Sequence, residues 1–426
     1  MTAASRRPSA AYLIAAVCTA QVLGQIGAFT FVALLPTFFA EWGLTHTEAG
    51  WLSGIIFGAY AVAVVFILPL TDHVDAKRVY TVAIALTTLS HLGMALLASG
   101  FWSGLTFRIL AGIGWAGSYM VGLKILADLI EGPAQSRAVA FHAASIGAGG
   151  SLSFVVAGAA ATWIDWHGAF VISALASFIG LLIMALMVPG VKPAEVEGPR
   201  PRLMDFGPVF RSRSVMAYAI GYCVHTWEMF TIRSWIVTFL VFTAAQSGDE
   251  PDFMVPTVVA MLSNLLGTVS SVLGNEAAIR LGRKRWIFTV MVLSIVTGAV
   301  VGFTAGMGYG VAATVCIVYN ILIYADSSSL TAGTVGSAPP GKRGAALAVH
   351  AMLGYGGGFI GPLVLGVALD ALGGETVLNW GIAFGHVAVV VMIGTLALAI
   401  LKPEGLAGDK DAAASSGMAR QEGRSR

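Results

Sequence analysis

Charge is scarce in this chain, and on one side of it positive charge is missing altogether. Acidic and basic side chains make up 11% of its 426 residues, against about 25% in ordinary soluble domains. Only three cysteines occur, at 18, 223 and 316, all inside apolar runs, which argues against a disulfide framework and reads as small buried side chains. No Gly-x-x-x-x-Gly-Lys-Ser/Thr loop is present, which excludes a P-loop pump. Neither His-Glu-x-x-His nor Gly-x-Ser-x-Gly occurs, so an intramembrane hydrolase lacks its machinery, no enzyme is expected, and no metal or cofactor is expected. The basic residues are scattered over short loops without forming a face, so no nucleic acid is expected as a partner.

What is present is hydrophobic length: 57% of the residues are apolar. Twelve stretches emerge, Tyr12–Phe39, Gly50–Leu70, Val79–Ser99, Ser103–Leu126, Ala138–Trp163, Ala169–Val188, Val215–Phe242, Val255–Asn275, Trp286–Ala305, Tyr309–Thr331, Gly344–Leu369 and Asn379–Leu401. Each reaches about the 20 residues that cross a hydrocarbon core of roughly 30 Å. They are numbered here as spans 1 to 12. The fold class is therefore an all-α integral membrane protein, since closed barrels need short alternating segments instead.

Of the 24 basic residues, only Arg108, Lys124 and Arg233 lie inside spans, and every other one falls in a loop or terminus on the same side. The opposite loops hold acids alone: Glu41, Glu48, Asp165, Asp249, Glu250, Asp252, Asp370 and Glu375. The positive-inside rule then puts both termini in the cytoplasm of a multi-pass plasma-membrane protein, a bacterial inner membrane being the expected setting. A miscounted span would swap every loop after it and destroy this separation. Arg6-Arg7 before an apolar run mimics a signal peptide, but the run is too long for one and is read as an uncleaved first helix.

The longest polar interruption contains Pro189–Ser214. It divides the chain into an N-terminal cytoplasmic segment (1–11), a six-helix bundle (12–188), a cytoplasmic linker (189–214), a second six-helix bundle (215–401) and a tail expected to be disordered (402–426). Both bundles carry a basic loop after their second helix, Asp72 to Arg78 and Arg280 to Arg285, as a duplicated unit would. Composition also repeats every third span. Spans 2, 5, 8 and 11 carry the small residues that let backbones approach, such as Gly54, Gly58, Gly147, Gly149, Gly267, Gly274, Gly354, Gly357 and Gly361. Spans 1, 4, 7 and 10 carry most of the polar groups at membrane depth, where they line a bundle interior or watery cavity. Spans 3, 6, 9 and 12 are mostly aliphatic, as supports facing lipid.

This pattern resembles the major facilitator superfamily over all twelve spans, with two pseudo-symmetric six-helix bundles. Two local motifs carry the likeness. Arg108-Ile-Leu-Ala-Gly112-Ile-Gly114 is similar to that superfamily's Arg-x-x-x-Gly-x-Gly motif. Asp72 to Arg78 is similar to its Gly-x-x-x-Asp-Arg-x-Gly-Arg-Arg loop, with Asp72 on the aspartate and Lys77-Arg78 as the terminal bases. Leu68, His73 and Asp75 depart from that pattern. In the second half Arg280-Leu-Gly-Arg283-Lys284 keeps the bases while Ile279 stands where the acid belongs. The resemblance implies a gating role for Asp72, Lys77 and Arg78, with Asp72 docking near the start of span 11.

An ionised side chain at mid-bilayer costs about 2.5–3.5 kcal/mol on insertion scales, so each one is a candidate site. Arg108 shares a helical face with Gly112, Trp115, Tyr119 and Gly122; it either binds an anion or proton-carrying partner, or is tied to carbonyls of span 1. Lys124 and Asp128 are spaced for an i,i+4 pair near the cytoplasmic end, a snorkelling lysine. Span 7 is densest, with Tyr222, His225, Glu228 and Arg233. Glu228 and Arg233, five apart, cannot pair ideally within one helix, so Asp326 of span 10 or a solute is expected as a partner. Substrate-binding candidates are thus Arg108, Tyr119, Gln25, Tyr222, Arg233, Asn320 and Tyr324. Proton-coupling candidates are Glu228, Asp326 and His225, because a buried carboxylate released from its cation can take up a proton. A structural Glu228–Arg233–Asp326 network is the alternative. His225 is singled out among the five histidines inside spans, the others reading as packing residues.

The expected function is a secondary active transporter that moves a small organic solute, an anion in particular, by alternating access with proton coupling. Its partners are the solute, the lipid bilayer and H+, and it acts as a monomer, as the resemblance implies. Proton-antiport efflux of drugs or metabolites is the alternative, weakened because the Gly-Pro pair lies at Gly361-Pro362 in span 11 rather than in span 5. A transporter-like solute sensor is the third reading.

Overall fold

The structure is a computed structural model, which describes residues 8–190, 206–248, 254–403, 406 and 409. Much of the linker, most of the tail and the first residues of the expected cytoplasmic N-terminus lie outside the described residues. Seventeen α-helices follow in order: α1 (Ala10–Gln25), α2 (Thr30–Ala33), α3 (Leu35–Trp42), α4 (His46–Leu70), α5 (Ala76–Leu97), α6 (Phe101–Ala116), α7 (Tyr119–Leu129), α8 (Pro133–Trp163), α9 (Trp166–Met187), α10 (Gly207–Arg211), α11 (Arg213–Gln246), α12 (Met254–Leu281), α13 (Arg283–Val301), α14 (Tyr309–Tyr324), α15 (Ser327–Gly336), α16 (Arg343–Ala371) and α17 (Val377–Leu401). No strand occurs among the described residues.

Among the described residues, eleven helical segments are long and apolar enough to cross a bilayer, and α1 adds a shorter apolar helix at the place of span 1. Their outer surfaces are large and apolar, with Val62, Phe66, Leu96, Leu97, Leu186 and Ile400 exposed. Lipid is the medium in which such surfaces cost nothing. Trp102 and Trp163 stand exposed at helix ends on the acid-only side, the depth at which aromatic belts form.

Spans 1, 4 and 10, where polar residues concentrate, are broken helices. Span 1 unwinds between Gln25 and Thr30, and again at Leu34 ahead of Pro36; proline cannot donate the N–H a continuing helix needs. Span 4 breaks at Gly117-Ser118, between α6 and α7. Span 10 breaks at Ala325-Asp326, between α14 and α15. Broken backbone at membrane depth must find new partners, and it does. The Phe29 N–H donates to Ser153 Oγ at 2.9 Å, the Tyr119 carbonyl lies 2.9 Å from His142 Nε2, and the Ala325 carbonyl accepts from Trp286 Nε1 at 2.9 Å. Span 7 is different. It is one continuous helix, α11, and is the most enclosed of all.

The chain forms two compact units, Met1–Leu34 with Val62–Arg200, and Leu35–Ala61 with Pro201–Arg426. The stretch Leu35–Ala61, which the sequence division assigns to the first bundle, therefore packs within the second unit. Small residues explain how. A Cβ on Gly50 would lie 2.8 Å from Leu363 Cα, and one on Gly54 would collide with the Phe359 carbonyl. The glycines of α4 thus let its backbone lie directly on α16. Phe57 and Phe230 extend the contact, ring centroids 3.8 Å apart.

The second unit holds a feature within the tail. Asp409 accepts from Arg283 Nε and Nη2, each at 2.9 Å, and both residues are buried. Arg283 also donates to Asn275 Oδ1 at 3.0 Å. Arg283 belongs to the basic loop in which Ile279 replaced the expected acid, and a carboxylate from 130 positions downstream (409 − 279) now serves that loop.

Candidate functional site

Within the second unit, α11 presents its polar residues to several neighbours at once. Arg233 is half-buried, as are Tyr222, Cys223 and Trp227 on the same helix. Its guanidinium carbon sits 5.2 Å from the Phe230 ring centre and 5.6 Å from that of Tyr324, so the cation is held over aromatic faces. Arg233 Nη2 donates to Asn264 Oδ1 at 2.5 Å, and the Tyr324 hydroxyl donates to the same oxygen at 2.7 Å.

About two turns towards the N-terminus of α11, His225 Nδ1 lies 2.8 Å from Asp326 Oδ1, both residues almost fully buried. The two atoms are in close contact without the alignment of a hydrogen bond. Asp326 is available to it because span 10 breaks there: as the residue preceding α15 it makes no side-chain cap to its own helix. Tyr222 stacks on His225 with centroids 5.5 Å apart and on His350 at 3.7 Å. His350 is in turn 3.2 Å from Thr331 Oγ1 and 3.0 Å from Thr334 Oγ1. His350 thus joins the polar group around His225 and is not an isolated packing residue.

Glu228 faces elsewhere. It is 3% exposed, and Ser294 of α13 donates to its Oε1 at 2.5 Å. The Tyr319 hydroxyl lies beside the same carboxyl without completing an aligned bond. The expected Glu228–Arg233–Asp326 network therefore takes another form: Arg233 bonds Asn264, Asp326 meets His225, and Glu228 is served by a hydroxyl from a support helix. Asn320 is also buried, its Oδ1 having no hydrogen-bond partner among the described residues.

Within the first unit, Arg108 is 4% exposed and its guanidinium carbon lies 4.8 Å from the Phe31 ring centre. Phe31 belongs to α2, the short helix that follows the break in span 1. Tyr119 is turned towards His142, rings stacked at 5.7 Å. Gln25 is buried at the end of α1, where Gly149 of α8 lets it approach: a Cβ on Gly149 would sit 2.7 Å from Gln25 Cβ. At the basic end, Asp75 caps α5 by accepting from the Lys77 N–H at 2.9 Å, and Lys77 Nζ donates to the Ala185 carbonyl at 2.8 Å. Asp72 and Arg78 are exposed. Lys124 pairs with Asp128 at 2.8 Å, as their spacing implied.

Three residues that matter here were not singled out from sequence: Asn264, Ser294 and Asp409. An amide in the middle of an apolar span is a detectable signal, since it must find a partner in lipid. Ser294 carries no such signal, because serines bond their own helix so readily.

The Major Facilitator Superfamily model matches residues 17–362. Over 288 residues the chain is 20% identical to Protein spinster homolog 1 of Homo sapiens, covering 64% of this chain and 54% of that protein. Over 142 residues it is 26% identical to the niacin transporter NiaP of Acinetobacter baylyi, covering 33% of this chain and 32% of that protein. The chain therefore spans about half or less of the length of these relatives. Among solved structures it is similar to a bacterial homologue of the human lysosomal transporter spinster, in an inward-facing and occupied conformation. The TM-score is 0.73 at 15% identity, over 92% of this chain and 95% of that one. At that identity the likeness is one of fold.

Proposed function

Since this chain belongs to the Major Facilitator Superfamily, we propose that it is a secondary active transporter of small organic anions, driven by proton coupling and working by alternating access. The observation that carries the reading is Arg233: a permanently charged group at membrane depth, partly exposed, flanked by Phe230 and Tyr324. Aromatic faces beside a guanidinium suit a flat or cyclic carboxylate, which gains apolar contact and a charge-assisted bond together. Niacin, the solute named for one relative, is such a compound. Arg108 over Phe31 supplies a second cation over an aromatic ring, in the first unit.

His225 and Asp326 form the proton-coupling pair in this reading. A carboxylate whose nearest cation is a histidine can exchange protons with it, whereas an arginine partner would hold it ionised. Glu228, with a hydroxyl donor as its bonded neighbour, is a second proton-accepting carboxyl behind that pair. Tyr222, Asn320 and Tyr324 are the further solute-binding candidates of the second unit, and Gln25 and Tyr119 are those of the first. Asp72, Lys77 and Arg78 act in gating at the basic end. The protein works as a monomer in a bacterial plasma membrane with both termini cytoplasmic, and no enzymatic activity is proposed.

Direct binding tests the anion reading. Purified protein is titrated with nicotinate and nicotinamide, which differ only in carboxylate against carboxamide. The acid binds more tightly to the wild type, and Arg233→Gln weakens it by about ten- to a hundredfold, the worth of a charge-assisted hydrogen bond. Equal binding of acid and amide, or an acid preference untouched by Arg233→Gln, contradicts it.

A further inference from the structure

Arg233 and Tyr324 aim their donors at a single atom. Asn264 Oδ1, on α12, accepts from Arg233 Nη2 at 2.5 Å and from the Tyr324 hydroxyl at 2.7 Å. The amide must present oxygen there, because both neighbours bring hydrogens. The arrangement is built from α12. Gly267, one turn beyond Asn264 and on the same face, leaves room for the Tyr324 ring; a Cβ there would lie 2.7 Å from Tyr324 Cδ2. So α12 places the ring with one residue and holds its hydroxyl with another. Asn264 is 2% exposed, while Arg233 is half-buried.

A carboxamide has the planar shape of a carboxylate but no charge. It can occupy donors meant for an anion without cancelling the arginine's positive field. We propose that Asn264 Oδ1 is a resident stand-in for one oxygen of the solute's carboxylate, displaced from Arg233 and Tyr324 when that anion enters. The inference rests on the organic-anion reading and names the group on the solute that is recognised.

The energetics of exchange give the stand-in a purpose. A buried donor left without an acceptor is costly, so the empty site needs something on Arg233 and Tyr324. A carboxylate oxygen takes over both bonds: Arg233 exchanges a neutral acceptor for an ionised one, and the neutral bond from Tyr324 becomes a charge-assisted one, about twice as strong. An amide or ester oxygen replaces like with like and gains nothing. A cationic solute is repelled. Asn264 therefore sets a threshold that only anions cross, and it makes the site selective by competition rather than by direct contact.

The test uses full-length purified protein with matched acid and amide probes, nicotinate against nicotinamide and benzoate against benzamide, read by calorimetric titration. In Asn264→Asp a fixed carboxylate occupies both donors permanently. Nicotinate affinity falls at least about tenfold, and the preference for acid over amide disappears. In Asn264→Ala the competitor is gone, so the acid binds as tightly as in the wild type or more tightly. Asn264→Ser carries the same expectation if the alanine variant does not fold. Equal losses in the aspartate and alanine variants overturn the proposal, since a residue that touches the solute or merely supports the helix would behave that way. Unchanged nicotinate binding in Asn264→Asp overturns it as well. Loss of acid preference in Arg233→Gln with none in Asn264→Asp rejects the stand-in alone. A wild type with no acid preference rejects the anion reading, and the stand-in with it.

Discussion

His46 Nδ1 lies 2.8 Å from Asp370 Oδ1, joining the first turn of α4 to the last of α16. The same carboxylate accepts the backbone N–H of His46 at 3.1 Å and of Thr47 at 2.7 Å. A carboxylate at a helix N-terminus satisfies donors that have no partner in their own helix and meets the positive end of its dipole. On the other side of the ring, Glu375 Oε1 is 4.0 Å from His46 Nε2. All three residues belong to the acid-only side of the chain. In a carrier working by alternating access, this junction must part whenever that side opens.

Parting it is therefore expected to follow the pH on that side. Burial pushes the Glu375 carboxyl above its ordinary value, and the nearby His46 opposes the shift. A carboxyl raised in the joined state is disfavoured there when ionised, so the junction weakens as pH rises through that raised pKa and strengthens as pH falls. Asp370 acts the other way at lower pH: against the effect of burial, hydrogen bonds from Thr47 and His46 hold its carboxyl below its ordinary value, so the junction weakens once that carboxyl is protonated. Asp370→Asn should raise the labelling rate of a cysteine placed at Thr47 by roughly threefold to tenfold, as the loss of about 1 kcal/mol of partly exposed pairing implies. Glu375→Gln, which removes the raised carboxyl, should flatten the pH dependence of that rate. Labelling of Asp370→Asn that matches the wild type at every pH would show that the junction holds nothing.

Proton coupling should fail when its carboxyl is neutralised. Asp326→Asn leaves His225 without its charged neighbour, and uptake by reconstituted protein should lose its dependence on an imposed pH gradient. Exchange without a gradient should survive. Glu228→Gln keeps an acceptor for the Ser294 hydroxyl and should reduce gradient-driven uptake less than Asp326→Asn does. Gradient-driven uptake at the wild-type rate in both variants removes these residues from the coupling.

The tail should matter for stability. Asp409 and Arg283 are both buried and doubly bonded, and removing one partner of such a pair costs about 3–5 kcal/mol because the other is left charged without compensation. Asp409→Asn, or ending the chain at Pro403, should lower the melting temperature of the detergent-solubilised protein by several degrees. Arg283→Met with Asp409→Leu, which removes both charges, should recover much of the loss. An unchanged melting temperature in Asp409→Asn would mean the pair contributes nothing.

Much of this architecture was legible in the residue order. Apolar length and the confinement of lysine and arginine to one side showed the spans and their number. The concentration of polar groups in spans 1, 4, 7 and 10 pointed at Arg233, His225 and Asp326. Helix breaks were not legible, because Gly117-Ser118 and Ala325-Asp326 look like ordinary span residues until a partner from another helix relieves the backbone. Pairings were harder still. Charge alone offers Glu228 and Arg233 either Asp326 or a solute as partner, but the break in span 10 turns Asp326 to His225, while Arg233 meets the neutral Asn264. Asp409 and Ile279 lie far apart in a chain whose tail looked featureless, so nothing local signals that one completes the other's loop.

Solute counterflow in proteoliposomes tests the central claim most directly. Vesicles loaded with unlabelled nicotinate and diluted into trace labelled nicotinate should accumulate label transiently through the wild type. The same vesicles loaded with nicotinamide should not, and Arg233→Gln should abolish the effect. Label accumulation that is equal for acid-loaded and amide-loaded vesicles, or that persists in Arg233→Gln, would contradict a carrier of organic anions organised around that arginine.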